Sequence, residues 1–236
     1  MKNVLITGAS RGIGKAISVI LSSEYTVFGT ARSENLLKNL NLSGYCVCDL
    51  NNRLDLDKLK IFIEKNDIDI LINNAGEYIY ESIENVKINQ IQEIFDINSI
   101  APIFLSSAVV PYMKSKNWGR IINIGSISGV MGEAYASLYS ATKASLIGFT
   151  KALALELAQD NITVNTINPG WVETDLGEKS VEQSDFSKNE IVECIPQKRF
   201  VEPIEVANLV KYLISDEAKG ITGQSINLCA GLSVGY

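Results

Sequence analysis

Short apolar segments rich in β-branched residues alternate along the chain with longer segments of helical periodicity. The predicted strands are Asn3–Thr7, Thr26–Thr30, Gly44–Asp49, Ile68–Asn73, Gly119–Gly125, Ile162–Asn168 and Gln224–Leu228. The predicted helices are Gly14–Ser23, Leu54–Asn66, Ile88–Lys116, Ser137–Ala158 and Pro203–Ser215. This alternation predicts an α/β fold in which right-handed crossovers build a doubly wound parallel sheet of about seven strands, with helices on both faces.

No linker, repeat or low-complexity block interrupts the pattern, so residues 1–236 are predicted to form a single domain. Residues 174–200 are polar and charged and fit neither a strand nor a long helix. We expect them to form a mobile lid of one or two short helices over a substrate pocket.

The composition, with 46% hydrophobic and 20% charged residues, is typical of a soluble globular protein. A net charge of −6 disfavours a nucleic-acid partner, because phosphate backbones require a basic surface. No run of eighteen apolar residues predicts a membrane span, and the apolar N-terminal stretch is too short for a signal peptide. The four cysteines form no CxxC motif, which favours a reducing cytoplasm.

The chain contains no histidine, and this excludes more than the other composition figures do. A Ser-His-Asp triad, a Cys-His pair and a histidine-ligated zinc site all require imidazole. Proton transfer must therefore use Tyr, Lys, Asp, Glu or Cys with a shifted pKa. We predict no metal site.

The first predicted strand runs into a glycine-rich turn with the sequence TGASRGIG at Thr7–Gly14, which a helix follows. Glycines at such a turn let backbone N–H groups approach a pyrophosphate, and the helix N-terminus adds partial positive charge. The spacing is GxxxGxG rather than GxGxxG, and glycine at a strand-to-helix turn can also serve only as a tight corner. The position after the first strand favours phosphate binding.

A second group of candidate residues lies downstream. Tyr139 and Lys143 are separated by one helical turn, so they share a helix face. Ser126 follows a predicted strand, at the sheet edge where α/β proteins bind ligands, and Asn98 lies within a long helical segment. A YxxxK pair alone also fits a solvated helix face. Together with the glycine-rich turn and the absence of histidine, it favours a catalytic site.

These motifs resemble those of the classical short-chain dehydrogenase/reductase family, and the 3-oxoacyl-[acyl-carrier-protein] reductases are the most similar in appearance. The matching pieces appear in order over essentially the whole chain: the turn at Thr7–Gly14, Asp49, the segment Asn73–Gly76, then Asn98, Ser126, Tyr139, Lys143, Pro169, Gly170 and Thr174. The resemblance implies a Rossmann-type fold that binds NAD(P), with Asn98, Ser126, Tyr139 and Lys143 as a catalytic tetrad.

The resemblance also implies a role for each member of the tetrad. Tyr139 is the acid in ketone reduction and the base in alcohol oxidation, while Ser126 hydrogen-bonds the substrate carbonyl. Lys143 holds the nicotinamide ribose, and Asn98 anchors a water that relays protons to it. We expect the Lys143 ammonium and an oxidised nicotinamide to lower the pKa of the phenol from about 10. Ser128 competes with Ser126, but only Ser126 has the family's spacing to Tyr139.

The resemblance assigns cofactor binding to residues from most of the chain. They are Gly8, Ser10, Arg11, Gly12, Ile13, Gly14, Arg32, Asp49, Leu50, Asn74, Ala75, Gly76, Tyr139, Lys143, Pro169, Gly170, Val172 and Thr174. The second strand is followed by Arg32 instead of an acidic residue. With Arg11 this favours the 2′-phosphate of NADP(H), since guanidinium groups bind phosphate bidentately. Alternatively, Arg32 pairs with Glu34, Asp49 caps a helix, and Asn74–Gly76 only form a turn.

The substrate is predicted only as a small ketone or secondary alcohol, with a thioester left open. Pocket candidates are Gly132–Tyr135, Trp171, Val172, Tyr78 and Tyr80. One alternative is a 3-oxoacyl-[acyl-carrier-protein] reductase. Such enzymes resemble this chain but carry basic docking residues where it has Asn117 and Gln159–Asn161. An alternative of another class is a protein that senses NADPH or acts as a scaffold without catalysis.

The segment Ser137–Ala158 carries apolar residues around nearly its whole circumference. A helix of this kind is normally buried, and the sheet can cover only one of its sides. Together with the resemblance, this predicts a homodimer or homotetramer. The alternative is that Ile88–Lys116 covers the second side within one chain.

Overall fold

The strands of the computed structural model, which describes residues 1–234, form one seven-stranded sheet in the order β3-β2-β1-β4-β5-β6-β7. The strands are β1 (Asn3–Thr7), β2 (Thr26–Ala31), β3 (Gly44–Val47), β4 (Ile70–Asn73), β5 (Gly119–Ile124), β6 (Ile162–Pro169) and β7 (Ser225–Leu228). Every neighbouring pair is parallel. The predicted doubly wound parallel sheet is confirmed, and its strand order reverses between β1 and β4.

Helices connect the strands and cover the sheet. They are α1 (Gly12–Leu21), α2 (Glu34–Lys38), α3 (Arg53–Lys65), α4 (Ile88–Phe95), α5 (Ala101–Lys116), α6 (Ser128–Met131), α7 (Ser137–Leu157), α8 (Asp175–Gln183), α9 (Lys188–Cys194) and α10 (Pro203–Leu213). The segment predicted to be a lid, residues 174–200, contains α8 and α9.

The core has one apolar layer on each face of the sheet. Side chains of α3, α5 and α7 pack around Leu5 of β1, whereas those of α1 and α10 pack around Val4 and Ile6. Successive residues of a strand point to opposite faces, so a strand covered on both faces is mostly apolar. This explains the apolar runs within β1 and β4, whereas β5 and β6 also bury polar side chains such as Asn123 and Asn165.

The predicted outer boundaries of the strands and helices lie within two residues of the structure, and three differences have a physical cause. The edge strand β3 ends at Val47 instead of Asp49, since its pairing with β2 stops at Ala31. The helices α2 and α6 are too short for their periodicity to be recognised in the sequence. The segment predicted as one helix, Ile88–Lys116, is interrupted by a π-helical turn at Asp96–Ile100.

The segment Ile88–Lys116 is long and apolar enough to qualify as a membrane span by length and composition. Within the fold, 56% of its most apolar window is buried. The buried residues include Leu105, Val109 and Met113, which belong to the core layer around Leu5. Its apolar character is thus accounted for by packing against the sheet.

Candidate active site

A cavity of about 1000 Å³ opens at the carboxyl ends of the strands. It is lined by residues that directly follow β1, β2, β4, β5 and β6, among them Gly8, Arg32, Asn74, Ser126 and Gly170. This is the position at which doubly wound sheets bind ligands. Of the candidate cofactor and catalytic residues, all except Gly14 and Asn98 line this cavity.

The glycine-rich turn is shaped by close backbone packing. Gly8 and Gly12 have positive φ angles of 65° and 51°. A Cβ atom on Gly14 would lie 2.2 Å from the carbonyl oxygen of Gly8, so this position admits only glycine. Gly14 therefore lies beneath the turn and supports it, instead of lining the cavity. Arg11 at the N-cap makes no side-chain capping bond, so the first N–H groups of α1 remain available to a ligand.

The segment after β4 holds the glycine-rich turn in place. The side-chain amide of Asn74 donates hydrogen bonds to the carbonyl oxygens of Thr7 (2.9 Å) and Gly8 (3.2 Å). The backbone N–H groups of Asn74 and Ala75 both donate to the hydroxyl of Thr7 at 3.0 Å. These residues form more than a simple turn, since they connect β4 to the turn that follows β1.

At the end of β2, the structure separates Arg32 from the acid proposed as its partner. The carboxylate of Glu34 instead binds Lys38 (3.0 Å) and the hydroxyl of Tyr45 (3.1 Å). Among residues 1–234 no ion pair engages the exposed Arg32 guanidinium, which lines the cavity. Arg11 lies 4.0 Å from Asp175, with both side chains largely exposed.

The residue after β3 that was considered as a helix cap has a different role. Asn52 caps α3, because its side chain accepts hydrogen bonds from the N–H groups of Leu54 and Asp55. The carboxylate of Asp49 accepts one bond, from the N–H of Asn51 at 3.1 Å, and lines the cavity. Asp49 therefore keeps acceptor capacity that faces a ligand.

Tyr139 and Lys143, one turn apart on α7, meet at the floor of the cavity. The ammonium of Lys143 lies 5.6 Å from the centre of the Tyr139 ring and donates a hydrogen bond of 2.9 Å to the carbonyl oxygen of Ile124. Only 3% of Lys143 is exposed. Burial disfavours its ammonium form and lowers the pKa of Lys143 to about 8.

The pKa of Tyr139 is shifted in the direction opposite to our expectation. Burial raises the pKa of Tyr139 to about 12, and the nearby Ser126 hydroxyl offsets only part of this effect. The negative charge of Glu133 raises the pKa further. The prediction that Lys143 lowers this pKa is thus wrong for the chain's own groups, since burial dominates and the opposing contribution comes from Ser126 and not from the lysine. The phenol holds its proton firmly at neutral pH.

Asn98 lies in the π-helical turn and is completely buried. Its amide donates to the carbonyl oxygen of Glu77 (2.9 Å) and the hydroxyl of Thr142 (3.1 Å), and its Oδ1 accepts from the N–H of Glu77 (2.8 Å). A Cβ on Gly76 would touch both Asn98 Oδ1 and Lys143 Nζ, at 3.4 and 3.3 Å. Asn98 is therefore next to the lysine, although it does not line the cavity. Sequence periodicity gave no sign of the π turn.

Ser126 is the first member of a chain of hydrogen bonds. Its hydroxyl donates to the hydroxyl of Ser128 (3.1 Å), which donates to Oε2 of Glu133 (2.6 Å). Oε1 of Glu133 accepts from the hydroxyl of Tyr78 (2.7 Å), and the Tyr78 and Tyr139 rings lie edge to face at 5.0 Å. Sequence reasoning placed Glu133 and Tyr78 only among pocket candidates. Its sole signal for this network was the nearness of Ser128 and Glu133 to Tyr139 along the chain.

The segment after β6 closes the far side of the cavity. Thr174 caps α8 by accepting a hydrogen bond of 3.1 Å from the N–H of Gly177. Residues 176–186 of α8 and the following loop contribute Leu176, Lys179, Asp185 and Phe186 to the lining. The predicted pocket residues Trp171 and Val172 also line it, and Trp171 stacks on Phe200 at 5.6 Å.

Comparisons with known proteins agree with this geometry. Residues 2–185 match the sequence model of a family described as short chain dehydrogenase. The 3-oxoacyl-[acyl-carrier-protein] reductase FabG of Escherichia coli (strain K12) is 38% identical over 98% of this chain and 97% of its own length. FabG of Vibrio cholerae is 37% identical with the same coverage.

Solved structures are similar over nearly the full length. YwfH, an NADPH-dependent reductase involved in bacilysin biosynthesis, has a TM-score of 0.93 at 28% identity, over 100% of this chain and 99% of that one. A variant of the actinorhodin polyketide ketoreductase with NADPH has a TM-score of 0.91 at 33% identity, over 99% and 97%.

Proposed function

The chain belongs to the short-chain dehydrogenase family, and on that premise we propose that it is an NADP(H)-dependent oxidoreductase that interconverts a ketone and a secondary alcohol. One observation carries this proposal. The cavity joins a glycine-rich turn and two arginines at one end to Tyr139, Lys143 and Ser126 at the other. The two similar solved structures, an NADPH-dependent reductase and a ketoreductase with NADPH, support NADP(H) as the cofactor.

The residues at the strand ends fit NADP(H). The turn at Gly8–Gly12 and the uncapped N-terminus of α1 suit a pyrophosphate, and Asp49 offers an acceptor to an adenine amino group. Arg11 and Arg32 are the guanidinium groups of the lining and suit a 2′-phosphate. The remaining proposed cofactor residues that line the cavity continue from this turn toward Tyr139: Ser10, Ile13, Leu50, Ala75, Gly76, Pro169, Val172 and Thr174.

In the proposed reaction, the protein supplies the proton and the orientation. When bound, the nicotinamide of NADP(H) supplies the hydride to the carbonyl carbon. The hydroxyl of Tyr139 donates its proton to the carbonyl oxygen in reduction and accepts one in oxidation. A pKa raised to about 12 suits the acid role, because the phenol remains protonated at neutral pH. The Ser126 hydroxyl rotates from Ser128 to the substrate oxygen and stabilises its developing charge.

Lys143 and Asn98 have supporting roles in this proposal. Lys143 holds the cofactor ribose and places a positive charge beside the phenolate that forms as Tyr139 loses its proton. Asn98 fixes the segment that follows β4 against α7 through Glu77 and Thr142. Its Oδ1 and the lysine flank Gly76, which supports a role in returning protons to Lys143 through water.

A second candidate function is reduction of a 3-oxoacyl thioester carried by an acyl carrier protein. The FabG relatives at 37–38% identity favour it. Of the three basic residues near the expected docking positions, Lys114 and Arg120 are engaged within this chain, whereas the exposed Lys116 makes no ion pair among residues 1–234. Arg120 is only 2% exposed and binds Asp216, and Lys114 pairs with Asp160 at 3.5 Å. This chain has a net charge of −6, which repels an acidic carrier protein at long range. We therefore keep the general ketone reductase as the first candidate.

The proposal is tested by following NADPH oxidation with a panel of acetoacetyl thioesters, free ketones and sugars. We expect turnover of at least one ketone with NADPH, and a lower kcat/KM with NADH. Turnover restricted to the carrier-bound thioester supports the second candidate. If NADPH binds and no carbonyl is reduced, the chain acts as a sensor or scaffold, and the enzyme assignment is wrong.

We also propose that residues 1–236 form one domain with a mobile lid near 174–200 and associate into a homodimer or homotetramer. Ile88–Lys116 does not cover all of α7, which leaves a row of apolar residues exposed: Ala141, Ala144, Gly148, Ala152 and Leu155, the last at 83%. Light scattering that detects only monomer at micromolar concentration would contradict the assembly.

The cysteines at positions 46, 48, 194 and 229 are free, which supports a reducing cytoplasm.

A further inference from the structure

Glu133 places a fixed carboxylate beside the residues that hold the substrate carbonyl. Each of its oxygens accepts one hydroxyl hydrogen bond, from Tyr78 (2.7 Å) and from Ser128 (2.6 Å). The hydroxyl of Ser128 in turn accepts a hydrogen bond from the hydroxyl of Ser126. A carboxylate oxygen has two acceptor sites, so each oxygen of Glu133 retains one that can face the cavity it lines. Its charge is close enough to Tyr139 to raise the pKa of the phenol.

Aromatic and acidic side chains surround this carboxylate. Tyr78, Tyr80 and Tyr135 line the cavity beside Glu133, and the rings of Tyr80 and Tyr135 lie 5.4 Å apart. A second carboxylate, that of Asp185, lines the same cavity. Burial and then the negative charge of Asp185 raise the pKa of Tyr80. Among residues 1–234, no ion pair neutralises Glu133. This end of the cavity therefore presents two carboxylates and several aromatic side chains, together with the ammonium of Lys179 from α8.

We propose, building on the proposed function, that Glu133 binds an ammonium group of the substrate, so that the substrate is an amino ketone or the corresponding amino alcohol. A carboxylate can only accept hydrogen bonds, and its best partner is a charged donor. Tyrosine faces attract the same cation through their π-electrons. Because Ser128 alone separates Glu133 from Ser126, the amine lies within a few bonds of the carbonyl.

The same carboxylate is poorly suited to a 3-oxoacyl thioester. Between its ketone and its sulfur such a substrate has only CH₂ and a carbonyl, and it offers Glu133 no hydrogen-bond donor. An acceptor oxygen set against a carboxylate leaves the charge uncompensated, which costs binding energy. A keto acid is disfavoured more strongly, because like charges repel.

Three ketones of nearly equal size test the proposal: aminoacetone, hydroxyacetone and 2-butanone, which differ only in NH₃⁺, OH or CH₃ at one position. With NADPH at pH 6.5, we expect kcat/KM for aminoacetone to exceed that for 2-butanone by about 10- to 100-fold, the range of a charged hydrogen bond. In Glu133→Gln this ratio falls toward one. The matched control Glu64→Gln, on the exposed surface of α3, keeps the wild-type ratio.

Each other outcome overturns the proposal in a distinct way. Equal values for the three ketones show that the pocket does not select an amine, while the proposed ketone reductase stands. Hydroxyacetone equal to aminoacetone shows that a neutral donor suffices. If Glu133→Gln lowers all three values equally, Glu133 acts only by orienting Ser126 through Ser128.

A binding measurement separates this inference from failure of the proposed function. Calorimetry on the protein saturated with NADP⁺ compares 1-amino-2-propanol with 2-butanol. We expect the wild-type protein to bind the amino alcohol more tightly than 2-butanol, and Glu133→Gln to bind the two equally. This result supports the ammonium site even if no ketone is reduced. Equal binding of the two alcohols overturns it.

Discussion

The two ends of the cavity are built by different means. The cofactor end consists of backbone at the strand ends, in which Gly8, Gly14 and Asn74 pack together, and it carries Arg11 and Arg32. The substrate end consists of side chains from loops and α8, and it carries the carboxylates of Glu133 and Asp185. The cofactor end is thus fixed by the fold, whereas the substrate end depends on individual side chains. Tyr139 and Lys143 lie between them.

The largest effect is expected where the two ends meet, from Tyr139→Phe. This change removes the proton donor and leaves the ring that packs on Tyr78. We expect kcat to fall by about 10³-fold or more, in line with loss of a general acid, while the dissociation constant for NADPH changes by less than about 3-fold, a small difference in free energy. Stopped-flow absorbance and calorimetry measure the two quantities. Tyr25→Phe, which alters a tyrosine outside the cavity lining, is the matched control.

The substitution Gly14→Ala is expected to distort the glycine-rich turn at the cofactor end of the cavity. The added Cβ would lie 2.2 Å from the carbonyl oxygen of Gly8 and 2.5 Å from the Asn74 amide, so the turn must shift. We expect NADPH affinity to fall by about 100-fold and the melting temperature to drop, since overpacking costs about 1–3 kcal/mol. Gly220→Ala, where a Cβ would meet nothing within 4 Å, should change neither. Unchanged NADPH affinity in Gly14→Ala would show that the turn does not bind the cofactor.

Lys143→Met tests the energetic cost of the charge between the two ends. The folded-state pKa of Lys143, about 8, lies below its ordinary value of 10.5. Between these values the unfolded chain binds the proton and the folded protein does not, so stability at this site rises as pH increases from about 8 to 10.5. Below pH 8 the full cost of the buried ammonium applies. At pH 7 we expect the inactive methionine variant to be more stable by roughly 2 kcal/mol.

This stability advantage should shrink as pH approaches 10.5, which thermal unfolding at several pH values measures. Lys60→Met, at an exposed position of α3, is the control for the substitution itself. A Lys143→Met variant less stable than wild type at every pH would indicate that the bond to the Ile124 carbonyl outweighs the cost of burial.

The smallest effect sharpens the electrostatic difference between the ends. Arg32→Ala removes an exposed guanidinium, and we expect the preference for NADPH over NADH to fall by about 10-fold, the range of a charge-assisted hydrogen bond. The ratio of kcat/KM for the two cofactors measures this preference. Arg53→Ala, an exposed arginine at the start of α3, should leave the ratio intact. A ratio unchanged in Arg32→Ala would place the 2′-phosphate elsewhere.

The sequence predicted that the glycine-rich turn and the strand ends come together, because their determinants are local. Glycine spacing and strand ends follow from short segments, and parallel strands bring Gly8, Asn74 and Ser126 to one edge. The sequence could not reveal the Ser126–Ser128–Glu133–Tyr78 network, since it joins a loop after β4 to one after β5. The raised pKa of Tyr139 was also missed, because burial depends on the packed structure and not on the YxxxK spacing.

The most direct test of the central claim follows the hydride itself. The wild-type protein is incubated with NADPH deuterated at the transferred C4 position and a panel of ketones, and the alcohols are analysed by mass spectrometry. The account predicts an alcohol with one deuterium at the carbinol carbon for wild type, formed about 10³-fold more slowly by Tyr139→Phe with NADPH bound. Absence of deuterium from every product of the wild-type protein, or equal transfer by both proteins, would contradict it.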